Sequence, residues 1–128
     1  MFGKAEMVDM CLQNLSEVAT RTHFEVVAYC FMPDHLHLLV QTTAEADLVA
    51  FVRLFKQRSG YAYRRLTRDP EVLWQKSYYD HVLRREESLR DAARYIWGNP
   101  VRAGLVEDAR HYPYSGSFTL GEAWRMEG

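Results

Sequence analysis

From Lys4 to Thr22 the apolar residues Met7, Val8, Met10, Cys11, Leu15 and Val18 recur at helical intervals, which predicts an amphipathic helix. The next stretch, Phe24–Met32 (FEVVAYCFM), is dense in β-branched and aromatic side chains. Pro33-Asp34 supplies turn chemistry before a second apolar run, His35–Gln41 (HLHLLVQ), so the two read as adjacent antiparallel strands. Asp47 has the side chain of a helix N-cap. The helix it opens runs to about Leu66, with Val49, Val52, Phe55 and Tyr63 on its apolar face and basic residues on the other.

Asp69-Pro70 interrupts that helix, Ser77–Arg84 (SYYDHVLR) has strand character, and Glu86–Gly98 is again helical until Asn99-Pro100 ends or kinks it. A short helix around Val101–Val106 and an irregular aromatic tail (HYPYSGSF) complete the chain. The order helix, strand, strand, helix, strand, helix predicts an α+β fold, with helices packed on an antiparallel sheet. No repeat or Gly/Ser-rich linker divides the sequence, so one domain over residues 1–128 is expected.

Composition narrows the setting. With 48% hydrophobic residues among 128, the chain can bury one modest core, and one active site is to be sought. Cys11 and Cys30 lie in apolar stretches and form no CxxC pair, which argues for a reduced, cytoplasmic environment. Apolar runs such as Val26–Pro33 fall far below the roughly 20 residues of a membrane span, so no membrane partner is expected. The net charge of −1 hides an asymmetry: residues 1–47 carry 2 basic and 7 acidic side chains, and residues 48–103 carry 12 and 6. The middle of the chain is therefore the candidate polyanion-binding region. Its first helix contains no acidic residue between Leu48 and Leu66; Arg53, Lys56, Arg58, Arg64, Arg65 and the nearby Arg68 can contact phosphates, or simply form a solvated face.

Two groups of residues carry candidate chemistry. His35 and His37, two apart on a strand, project to the same side and converge on one point, a start for a divalent-metal site that needs a third ligand. The plainer alternative is a pair of histidines on a solvated sheet face. Tyr95 and Asn99, four apart on a helix, share a face, so a phenol and an amide oxygen can reach one site as nucleophile and ligand. The alternative is that Tyr95 packs in the core and Asn99 merely precedes a proline. Asp80 and His81 lie on the strand before this helix, where His81 can orient a ligand or touch phosphate, or be a surface histidine.

Taken together, YCFMPDHLHLLV, then YYDHVLR, then RYIWGNPVRAGLV resemble the single-tyrosine HUH transposases, and within them the REP-associated tyrosine transposases, over about Phe24 to Ser117. The resemblance implies an HUH sheet (ferredoxin-like, RRM-like), His35 and His37 as metal ligands, Asn99 as the polar ligand beside them, and Tyr95 as the nucleophile. It also implies Mg2+ or Mn2+ as cofactor and single-stranded DNA with hairpins as partner. The chemistry it implies is nicking and joining through a 5′-phosphotyrosine, with a free 3′-hydroxyl. Members occur as intertwined dimers as well as monomers, so a homodimer falls within the expectation. They usually begin with a further strand rich in aromatic and threonine residues; nothing before Ala5 resembles it, so the sheet is expected to lack an edge or centre strand. Two other readings stay open: a truncated or inactive hairpin-binding relative, and a hydrolase whose histidines activate water, for which no carboxylate base is evident.

Overall fold

The computed structural model describes residues 4–33, 35–42, 47–67, 79–82 and 86–126, without the side chains of residues 67, 79–82 and 86–88. Asp34, Arg68, Asp69-Pro70, the ends of the Ser77–Arg84 strand and the His81 side chain thus lie outside the described residues. The chain groups into two compact units, Met1–Phe24 with Thr42–Ser77, and Glu25–Gln41 with Tyr78–Gly128.

The first unit is a pair of helices. α1 (Lys4–Thr22) buries Val8, Met10, Cys11, Leu15, Val18 and Ala19 along one side, as its periodicity predicts. It stops because His23 adopts a left-handed φ of 63°, a conformation in which histidine is enriched among non-glycine residues. The Phe24 amide then reaches back to the Ala19 carbonyl at 3.0 Å, closing a Schellman-type end. Phe24 is thereby set against Phe51 of α2 (Leu48–Thr67), ring centroids 4.9 Å apart. Asp47 caps α2 as expected, its Oδ1 accepting from the Ala50 amide at 3.1 Å.

The apolar face of α2 is rotated from the predicted one. Val49 is 62% exposed, and the fully buried positions are Phe51, Phe55 and Ser59, spaced by four. The sequence LVAFVRLF offers apolar residues in two helical phases, and the phase that buries both aromatic rings prevails, at roughly 2–3 kcal/mol per buried ring. The Ser59 hydroxyl is satisfied by donating to the Phe55 carbonyl at 2.6 Å. Arg58 bridges to Glu17 of α1, Nη1 to Oε2 at 3.0 Å.

The second unit holds a four-stranded sheet in the order β3-β2-β1-β4. β1 (Glu25–Phe31) and β2 (Leu36–Gln41) form the expected antiparallel hairpin, Cys30 opposite His37, Tyr29 opposite Leu38 and Ala28 opposite Leu39. The register shifts between Val26 and Ala28, so Val27 is the extra residue of a bulge. β4 (Ser115–Gly116) extends the antiparallel part on the other edge of β1. β3 (Tyr79–Val82) joins β2 in parallel, with Leu39 opposite His81, so three antiparallel strands carry one parallel neighbour.

α3 (Glu86–Trp97) lies on one sheet face, where Ala93, Ile96 and Trp97 cluster with Ala28, Cys30 and Leu39. It is pinned by Trp97, whose indole N–H donates to the Gly116 carbonyl at 3.0 Å. After a turn at Gly98, α4 (Asn99–Arg102) follows with Pro100 in its first turn, earlier and shorter than the predicted Val101–Val106. The aromatic tail contributes a 3-10 turn (Ala109–His111), then β4, then a second 3-10 segment (Gly121–Met126). Tyr112 is buried there, its hydroxyl donating to the Phe31 carbonyl at 2.5 Å. None of the described helices is long and apolar enough to cross a membrane.

Candidate functional site

All the residues singled out for chemistry belong to the second unit. The β1–β2 connection is closed by the Met32 amide donating to the His35 carbonyl at 2.8 Å, which fixes the backbone next to the first imidazole. The rings of His35 and His37 then meet edge to face, centroids 4.6 Å apart, with their Nε2 atoms 2.8 Å from one another. Which ring donates across that distance depends on the tautomer. Both rings are half-buried.

Register decides which way they face. Cys30 is paired with His37 and Ala28 with Leu39, and paired residues on neighbouring strands share a face. Since Ala28, Cys30 and Leu39 pack with α3, the histidines lie on the face that α3 covers. A 250 Å³ cavity lies along α3, lined by Leu89, Ala93 and Trp97 together with Val27 and Gln41 of the hairpin.

Tyr95 stands on the other side of α3. At roughly 100° per residue it lies about 200° round from the buried Ala93, and its ring is 63% exposed. Asn99, half-buried, begins α4 one turn later. The structure thus assembles two clusters, the imidazole pair under α3 and the Tyr95–Asn99 pair on its outer side and end. His81 sits opposite Leu39 on β3, with its side chain outside the description.

A residue that the sequence reading passed over links the second cluster. Arg102 donates through Nη2 both to the Tyr95 carbonyl and to Asn99 Oδ1, each at 2.6 Å. Its guanidinium carbon lies 3.9 Å from the centroid of the Tyr95 ring. Because a guanidinium only donates, the Asn99 atom facing it must be the oxygen. The amide nitrogen is left buried with no partner among the described residues, a cost that the charge-assisted bond from Arg102 offsets. The signal was present in the sequence: Arg102 is seven residues from Tyr95 and three from Asn99, both helical spacings.

Among the described residues no three His, Cys, Asp or Glu side chains gather into a metal cluster. The two imidazoles are the donors that meet. A cation bound at roughly 2.0–2.1 Å holds two cis nitrogens about 3 Å apart, so the 2.8 Å histidine pair fits one ion with little movement.

The candidate DNA-binding residues belong to the first unit, and Arg68 among them lies outside the described residues. Arg53 and Arg64, eleven apart and both exposed, fall on one outward face of α2 with Lys56 to one side. Arg65 turns toward Tyr61, its Nη1 3.2 Å from the phenol oxygen, and Arg58 is engaged by Glu17.

The profile of a family described as Transposase IS200 like matches residues 2–99. A Haemophilus influenzae protein named "Putative REP-associated tyrosine transposase" is 34% identical over 102 residues, covering 72% of this chain and 58% of that protein. A "REP-associated tyrosine transposase" of Escherichia coli K12 is 26% identical over 93 residues, 72% of this chain and 53% of the relative. The chain spans a little over half the length of these curated relatives. No solved structure gives a significant match.

Proposed function

This chain belongs to the IS200-like transposase family and is REP-associated tyrosine transposase-like, and we propose that it nicks and rejoins single-stranded DNA beside a hairpin, with Tyr95 as nucleophile. The observation that carries the reading is the meeting of the His35 and His37 Nε2 atoms at 2.8 Å on the sheet face covered by α3, the helix that bears Tyr95 and leads to Asn99. His35, His37 and the Asn99 amide oxygen would hold a divalent cation, Mg2+ or Mn2+, which supplies Lewis-acid polarisation of the scissile phosphate. The exposed phenol oxygen of Tyr95 bonds to phosphorus as the bond to the 3′ oxygen breaks. The phenol gives up its proton, and the 3′ oxygen leaves as a hydroxyl. The phosphotyrosine conserves the bond energy, so a 3′-hydroxyl can reseal the strand by the reverse step. Arg53, Lys56 and Arg64 on α2 contribute backbone affinity, with smaller shares from Arg58 and Arg65 of the same helix, which are engaged by Glu17 and Tyr61, and from Arg68 after it.

A second reading has an observation in its favour: Tyr95 faces away from the sheet face that bears the histidines. A hairpin-binding relative without strand transfer, or a homodimer in which one copy lends its tyrosine to the other, accommodates that. The deciding experiment incubates the protein with labelled single-stranded hairpin DNA and Mn2+ and looks for an adduct that survives a denaturing gel. The leading reading expects an adduct that disappears in Tyr95→Phe and with chelator. His35→Ala is expected to abolish it while leaving hairpin affinity within a few-fold, because affinity comes chiefly from phosphate contacts. Hairpin binding with no adduct establishes a relative without strand transfer; an adduct regained on mixing Tyr95→Phe with His35→Ala establishes a tyrosine lent between copies; cleavage that persists in Tyr95→Phe refutes the role of the phenol.

A further inference from the structure

Arg102 does more than any sequence rule asks of a residue at the end of a four-residue helix. Its Nη2 donates to the Tyr95 carbonyl and Asn99 Oδ1, and the guanidinium carbon lies over the phenol ring. Among the described residues, Nη1 and Nε have no hydrogen-bond partner, and Arg102 is exposed. The geometry is made possible by Gly98, where an added Cβ would sit 2.8 Å from Nη1. Gly98 has an ordinary helical φ of −79°, so nothing in its backbone conformation calls for glycine. The room is used by the arginine.

Resting on the reading of Tyr95 and Asn99 given above, we propose that Arg102 is a phosphate-binding residue of the strand-transfer site: one nitrogen holds the Tyr95–Asn99 pair in place, and the remaining N–H groups bind the non-bridging oxygens of the phosphate that Tyr95 attacks. A guanidinium matches phosphate with two parallel donors, and here the open edge lies beside the nucleophile. The charge that builds on the phosphate oxygens as the phenol oxygen adds and the 3′ oxygen leaves is met by donors already in place. Asn99 Oδ1 keeps a second lone pair for a cation while accepting from Arg102.

Two variants separate this role from folding. Arg102→Ala is expected to slow adduct formation roughly 100-fold, the usual effect of deleting one transition-state donor, with hairpin Kd changed less than about three-fold. Added methylguanidinium should restore part of the rate, and Arg102→Lys should recover less than half of it, since it returns charge without the planar fork. Gly98→Ala leaves every reacting group intact but pushes Nη1 from its place. It should lower the adduct rate at least several-fold while thermal stability holds or rises. Nitration of Tyr95 by tetranitromethane, read by peptide mass, should quicken in both variants as the ring loses its cover. Wild-type adduct rates in Arg102→Ala, or a loss that guanidinium does not rescue and that tracks lost folding, overturn the proposal. If the wild type forms no adduct while nitration still responds to Arg102→Ala, the strand-transfer reading fails and the contact is a structural clamp alone.

Discussion

At the scale of the residue, close approach rather than composition decides what is tolerated. Gly116 is the clearest case: a Cβ there would lie 2.6 Å from Cζ of Tyr29, its partner across β1 and β4. Gly116→Ala should therefore destabilise by about 1–3 kcal/mol, the usual range for overpacking. Urea unfolding of Gly116→Ala and of Gly116→Ala with Tyr29→Ala checks this. A penalty that persists when Tyr29 is truncated would place its cause elsewhere. The same logic separates what the sequence revealed about the site. His35 and His37 were legible because strand alternation alone makes them neighbours, and their nitrogens do meet. The exposure of Tyr95 was not legible, because helical spacing relates it to Asn99 without saying which side of α3 faces the sheet. That choice is made by Ala93, Ile96 and Trp97, whose burial outweighs any placement of one phenol.

At the scale of the element, periodicity and caps located α1, α2 and the β1–β2 hairpin, since each is specified by its own residues. The Asp47 cap and the Schellman end at His23 are local devices of that kind. β4 escaped notice because two residues carry no period, and its place is set by pairing with Tyr29 and Cys30 far away in sequence. The parallel pairing of β3 with β2 was equally hidden, being a choice between long-range partners. On α2 the outcome is a prediction. Arg53 and Arg64 point outward together, whereas Arg58 is bound to Glu17. Replacing Arg53 or Arg64 by Ala should reduce the slope of log K against log salt by about 0.7–0.9 each for hairpin DNA. Arg58→Ala should change it less. Wild-type slopes in both Arg53→Ala and Arg64→Ala would exclude α2 from the proposed DNA contact.

At the scale of the whole molecule, stability should fall in strong base. Burial, with smaller contributions from Cys30 and Tyr114, pushes the Tyr112 hydroxyl from its ordinary 10.0 up to about 12. Only the neutral form can donate to the Phe31 carbonyl. The folded chain thus keeps this proton over a range in which the unfolded chain has lost it, so stability is full below pH 10 and is lost as pH rises toward 12. The contribution is roughly 2–3 kcal/mol by linkage. Burial raises Cys11 to about 12 in the same direction, so Tyr112→Phe should flatten part of the fall in urea midpoint between pH 10 and 12. An unchanged profile in that variant would exonerate Tyr112. The two interleaved units carry a last consequence. Every residue proposed to touch the scissile bond or its ion comes from Glu25–Gln41 and Tyr78–Gly128, while the cationic helix belongs to a segment spliced between them. On the proposed reading, grafting a different sequence between positions 41 and 78 would change how tightly the DNA backbone is gripped and leave the cutting chemistry as it was, so grip and cutting can vary independently in evolution.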